Sequence, residues 1–404
     1  MSDEKRPRIP RGLKQDGAAL WSYGFRPFFL GGALWAVAAM ALWIAALVHG
    51  LPLGGDLGAP LWHAHEMVFG FAPAVLAGFL LTAIPNWTGS LPVSGRPLMG
   101  LVAVWAAGRI AMAGAGITGL PLAALIDAAF LPALLVIASR EIVAGRKWND
   151  LKVLAGCAAI MAGNLGFHAA VLAGGNPSAW LRAAVAGYVV LVLIIGGRII
   201  PSFTRNWLNR QGMGPMPVPY GRFDMGVIAA SALALAAWTL APESRAAALA
   251  CGVAGLLNAA RLARWRGWAT RAEPLLWVLH GAYAFVPLGF LCITAAGLGI
   301  VQPVSALHVL TVGVIGTMML AVMTRATRGH TGRALTASRL TGLSYLCLFA
   351  AALARPLADL AGSVGLMEAA GLLWVGAFGL FVAEHAPMLA RPRRQPGGMQ
   401  AAVV

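Results

Sequence analysis

The chain alternates long apolar runs with short polar segments, and the runs have the length of membrane helices. They begin near Phe28, Leu61, Leu98, Leu122, Val153 and Leu181, and again near Phe223, Ala246, Pro274, Val304, Leu340 and Leu366. Each continues for roughly the 20 residues needed to cross a hydrocarbon core about 30 Å thick. Pro and Gly interrupt several runs, which membrane helices tolerate because neighbouring side chains re-satisfy the freed backbone groups. The pattern predicts an all-α, polytopic membrane bundle of about twelve transmembrane helices. One domain is expected over residues 23–390, with polar tails at 1–22 and 391–404. The first run lacks a convincing cleavage site and reads as an uncleaved helix.

The polar segments set the orientation. With the N-terminus inside, Lys5, Arg6, Arg8, Arg11, Lys14 and Arg26 fall on the cytoplasmic side, followed by Arg140, Arg146, Lys147 and Lys152. Continuing the alternation leaves Arg182, Arg245 and Arg355 outside, so about 25 basic residues are cytoplasmic and about 3 are not. A wrong helix count would scramble this asymmetry. Both termini are therefore expected in the cytoplasm of a bacterial cell, with the chain multi-pass in the inner membrane.

Composition agrees with the pattern. Of 404 residues 59% are hydrophobic and 11% charged, too few charges for a water-facing surface of ordinary size. The net charge of +16 is dispersed between apolar runs instead of gathered in a patch, which argues against a nucleic-acid partner and for the lipid bilayer. Cys157, Cys251, Cys292 and Cys347 stand singly in apolar runs and read as packing residues. No Walker, Rossmann or nucleophile-elbow motif supports ATP-driven transport or hydrolysis.

Sliding the second helix onto the tenth aligns His65 with His308, Gly70 with Gly313, and Asn86–Gly89 (NWTG) with Gly329–Gly332 (GHTG). The Pro and Asn-Trp of Gly197–Trp207 (GRIIPSFTRNW) echo Ile84–Trp87 (IPNW) with a gap. These matches suggest three pseudo-repeats of four helices.

Histidine is costly inside a bilayer without a partner or a function. On the expected topology His63, His65, His168 and His308 lie within about two turns of the outer helix ends, at the shared depth that ligation in a bundle requires. His280 lies toward the inner side, as a separate site or a satisfied core residue. In WHAHEMVFGF (Trp62–Phe71) the two histidines point about 200° apart, so they address two sites. Glu66, three residues after His63, is expected to orient that imidazole or relay protons. His308 is expected to ligate as the repeat partner of His65. For His168, supported by Asn164, ligation and interhelical hydrogen bonding are equal readings. Arg109 and Arg198 read as buried cations needing anions, and Glu66, Asp127 and Glu368 are the main carboxylates available.

Together, GFRPFF (Gly24–Phe29), WHAHEMVFGF, LTAIPNWTG (Leu81–Gly89), GRIIPSFTRNW and HVLTVG leading to RGHTGR resemble the signature segments of the NnrS family. The resemblance implies a twelve-helix bacterial membrane protein associated with heme and copper and acting in the response to nitric oxide. A more distant likeness is to the catalytic subunit of heme–copper oxidases. Carried over, it implies heme b with axial ligands from one of His63 or His65 and from His308. The expected pair is His65 with His308, with Arg109 or Arg198 on heme propionates. The chain departs from that likeness where copper would bind, since the tenth helix has no HxH and the sixth and seventh offer no histidine. Copper would then draw on His63, His168 and His280. The functions so implied are nitric oxide redox chemistry, fed by a membrane electron donor, or relief of its binding to other metals. Two alternatives remain open: a proton-coupled secondary transporter using Glu66 and the inner-face arginines, and a heme or metal transfer protein.

Overall fold

The computed structural model describes residues 18–394. Most of the two tails expected at 1–22 and 391–404 lies outside the described residues. Twelve helical rods follow one another: α1 (Phe25–His49), α2 (Ala59–Thr88), α3 (Arg96–Ala113), α4 (Leu120–Ala144), α5 (Leu151–Leu172) and α6 (Ser178–Arg210), then α7 (Arg222–Leu240), α8 (Arg245–Ala263), α9 (Pro274–Gly297), α10 (Pro303–His330), α11 (Arg339–Ala361) and α12 (Val364–Ala390). Eleven are long and apolar enough to cross a membrane. The remaining one, α3, has 18 residues and contains Arg96 and Arg109. No strand occurs among the described residues, as a bilayer demands of an open chain.

The rods run alternately up and down. Arg26, at the start of α1, donates to the carbonyls of Leu389 and Arg391 at 2.7 Å, and Tyr23 stacks on His330. The start of α1 and the ends of α10 and α12 therefore share one end of the bundle. At the other end, Ser305 of α10 donates to Asp359 of α11 at 2.7 Å. α2 is the most enclosed rod, with 83% of its apolar window buried against 28% for α1. Leu233, Leu240, Leu256 and Leu372 project outward, an apolar exterior that suits lipid as solvent.

Three rods are not α-helical throughout. α2 passes through a π segment at Glu66–Phe71, α6 at Val192–Gly196 and α10 at Val309–Gly316. They recur every fourth helix, which carries the expected three-block organisation further than the sequence matches do. His65 and His308 each stand immediately before a π segment, so the repeat register read from sequence holds at that point. A π turn accommodates one extra residue and leaves carbonyls poorly matched to their own helix. Side chains from elsewhere meet them: Tyr188 Oη donates to Val68 O at 3.1 Å, Trp105 Nε1 to Gly70 O at 2.9 Å, and Arg261 Nη1 to Leu193 O at 3.0 Å. In α10, Thr317 Oγ1 caps Gly313 O from within the rod.

Candidate functional site

Each block opens a cleft beside its π-bearing rod, and the three clefts hold different chemistry. The first lies among α2, α3, α4 and α5. Here His65 donates Nδ1–H to Glu66 Oε1 at 2.9 Å, and its Nε2 stands 3.2 Å from Asp127 Oδ2. His168 Nε2 lies 2.8 Å from the same oxygen and 3.3 Å from His65 Nε2. Asn164 Nδ2 reaches that oxygen at 2.9 Å. Arg109 ties the carboxylates together, with Nη1 on Glu66 at 2.5 Å and Nη2 on Asp127 Oδ1. All six residues are buried. Trp35 Nε1 adds a 2.8 Å bond to Glu66. Gly70 makes room for the clamp, because a Cβ there would strike the side chains of Arg109, Glu66 and Trp35.

The equivalent cleft of the second block, among α6, α7, α8 and α9, is closed by an ion pair. Arg261 Nε donates to Asp224 at 2.8 Å and Nη1 to Tyr283 at 2.9 Å, while Tyr283 donates to Asn258 at 2.7 Å. Arg264, at the rim, also reaches Asp224 at 4.0 Å, and the cluster contains no histidine.

The third cleft, among α10, α11, α12 and α1, opens into a cavity of about 330 Å³ that also reaches α2 and α6. Its wall is largely apolar and aromatic, with Met40, Trp43, Met67, Phe71, Val185 and Trp374, and it includes His63, His308, Arg355 and Glu368. His308 donates Nδ1–H to Val304 O at 2.8 Å, which fixes the tautomer and leaves the Nε2 lone pair free. His63 stacks on Trp43 with ring centroids 4.7 Å apart, and its Nδ1 is buried with no partner. Arg355 is held by Asp359 at 2.6 Å. The volume lies at the small end of ligand sites.

The expected placements divide accordingly. His63 and His65 do address two sites, as their spacing requires. His65, however, is absent from the cavity wall, and the imidazole that shares the cavity with His308 is that of His63. The structure thus brings His308 together with His63 in one cavity, and does not bring it together with His65, the expected pair. The reason is the repeat itself, because His65 and His308, eight helices apart, each face the cleft of their own block instead of one shared space. Glu66 was expected against His63 and instead contacts His65, its chain neighbour at the start of the π segment. Arg109 has its acidic partners in Glu66 and Asp127, which leaves it engaged by the chain's own carboxylates. Arg198 is only partly buried and pairs with Asp150 at 3.2 Å, far along α6 from the histidines. His280 accepts from or donates to Thr204 Oγ1 at 2.9 Å and belongs to neither cluster. Gly313 and Gly316 receive Phe285 and Trp374 respectively, which is helix packing. Arg355 went unnoticed as a site residue, since it counted only as one of the few basic residues on the outer side.

No curated protein matches the chain. A family model does, described as NnrS protein, and it covers residues 19–393. That span takes in all twelve rods and each of the three clefts, so the chain belongs to the NnrS family.

Proposed function

We propose that this multi-pass membrane protein binds heme b in the cavity of the third cleft and acts in the cellular response to nitric oxide. The observation that carries the reading is the presence of His63 and His308 on one apolar wall. The donor set suits the group. His308 has a free Nε2 and His63 a buried nitrogen without a partner, and imidazole nitrogens are donors that heme iron takes. The aromatic and methionine side chains offer apolar faces to a macrocycle, and the Arg355 fork suits a propionate.

When bound, heme would supply redox chemistry or a site for a diatomic gas. The chain's own part is positional. Val304 O holds the His308 ring, Trp43 holds the His63 ring, and Asp359 holds Arg355. The apolar wall keeps water from the ligands. The basic residues concentrated at the end shared by both described termini support an orientation with that end in the cytoplasm of a bacterial inner membrane, and with the cavity toward the opposite face.

A reduced-minus-oxidised spectrum of purified protein tests the reading. His63→Ala and His308→Ala should each lose or reshape the heme bands, whereas His280→Ala should not. A full, unshifted spectrum in both cavity variants at normal yield would reject this cavity as the heme site.

A further inference from the structure

A second cavity adjoins the one that holds His63 and His308. It has a volume of about 80 Å³ and lies where α2, α6 and α10 meet, the three rods that carry π segments. Its wall includes Leu76, Phe79, Val192, Ile195, Met318 and Val322, and among the described residues no charged side chain lines it. Tyr188 and Ile315 stand on the walls of both cavities, so the two abut there. From that junction the first cavity runs to His63, His308 and Arg355. The second runs the other way, toward the end shared by both described termini, since its residues on α10 lie between His308 and His330. Phe79, Ile195, Ile199, Met319 and Val322 are only half-buried, so it is an open groove and not a sealed void.

The junction is kept free of polar groups. Tyr188 Oη, the one polar side-chain atom there, is turned to Val68 O. The π-segment carbonyls of Gly70, Leu193 and Gly313 are likewise taken by Trp105, Arg261 and Thr317. The ionised and imidazole groups of the other two clefts, among them His65, Asp127, Arg109 and Asp224, line neither cavity. A cavity without polar partners stays dry and takes small apolar guests, whereas an ion entering it loses its hydration without compensation. Size narrows the guest. The volume is several times what one water-sized molecule needs. The longest wall, residues 191–199, runs about 12 Å at 1.5 Å per residue, short of the roughly 15 Å leaflet of a hydrocarbon core. That suits a diatomic molecule better than a lipid chain.

We propose that the groove and the cavity beyond it form one apolar passage, through which an uncharged diatomic gas dissolved in the bilayer reaches His63 and His308. The destination rests on the heme reading; the gas site in the groove does not. An apolar solute leaves water for hydrocarbon, so the gas enters from the lipid, through the half-buried side of the groove. The polar groups Arg355 and Glu368 stand only on the wall of the first cavity, which separates the gas entrance from the charged end.

Xenon is the probe, being apolar, close to a diatomic in size and visible in crystals. Crystals of the purified full chain under xenon pressure should show an atom between Val192, Ile195 and Met318. Ile195→Phe fills the groove and should abolish that atom, as should Val192→Phe one turn away, while Leu233→Phe on the outward surface should keep it. Carbon monoxide rebinding after photolysis of the heme-loaded protein reads the passage. Ile195→Phe and Val192→Phe should slow the second-order phase severalfold with heme content and unfolding transition unchanged, and Leu233→Phe should leave it at the wild-type rate. Heme bands in the His63→Ala and His308→Ala variants judge the destination and xenon judges the groove, so either reading can fail alone. A wild-type groove without xenon, an acyl chain or ordered water in its place, or rebinding as fast in both filled variants as in the wild type would overturn the passage.

Discussion

Replacing Arg109 with methionine would leave Glu66 and Asp127 facing each other in a buried cleft without their shared cation. Both ion pairs are direct and all three side chains are almost wholly enclosed. At a separation near 4 Å and an effective dielectric of about 20, each pair is worth about 4 kcal/mol, so roughly 8 kcal/mol of gross attraction is lost. Relief of the guanidinium's own desolvation offsets part of that. Removal of one partner from buried pairs costs about 3–5 kcal/mol net, and that is the expected loss. It is a large share of a total stability of about 5–15 kcal/mol. Arg198→Gln provides the contrast, because its pair with Asp150 is partly exposed and should cost about 0–1 kcal/mol. The assay is reversible unfolding in bicelles or mixed micelles on metal-free protein. The triple variant Arg109→Met, Glu66→Gln, Asp127→Asn removes every ion and should recover at least about 2 kcal/mol relative to the single variant. A loss below about 1 kcal/mol for Arg109→Met, or a triple variant no more stable than the single one, would refute the account of a charge-clamped cleft.

Gly70→Ala places a methyl group against Arg109, Glu66 and Trp35; unfolding should show a loss of about 1–3 kcal/mol, whereas Gly226→Ala, with open space around it, should be neutral or gain up to about 1 kcal/mol of helix propensity. Tyr188→Phe strips the π segment's Val68 carbonyl of its donor and should cost about 1–3 kcal/mol in the same assay. For orientation, single cysteines in intact cells should react with an impermeant reagent at position 55 and not at positions 146 or 330; the reverse pattern would invert the topology.

The twelve rods were legible because hydropathy over a spanning window is a strong signal that depends little on tertiary context. The third was the weakest by that measure, since Arg109 sits within it, and that residue's partners explain the intrusion. The placement of His63 and His65 on opposite flanks followed from helix geometry alone. Which flank meets His308 did not follow, because rotation of a rod within its bundle is set by packing. The repeat correctly aligned His65 with His308, and the same regularity that aligned them sends them to different clefts. Asp127 was visible as an intramembrane carboxylate, but its meeting with His168 joins residues 41 apart in sequence, for which no local pattern exists. Periodicity also gave no warning of the π segments, whose sequences are as apolar as the helix around them.

Those segments mean that the histidine-bearing ends of α2 and α10 are phased by a residue count. Each π turn absorbs one surplus residue between the end that carries the histidines and the remainder of the rod. Deleting a single residue within 66–71 would restore ordinary winding with the phase of His63 and His65 against the rest of α2 nearly kept, whereas a deletion in the ordinarily wound part of the rod that follows would turn both by about 100°. There His63 would swing off the cavity wall and His65 out of its carboxylate pair, with no histidine itself altered. A single deletion should therefore be tolerated better inside these short stretches than beyond them, where both clusters on α2 would be lost together.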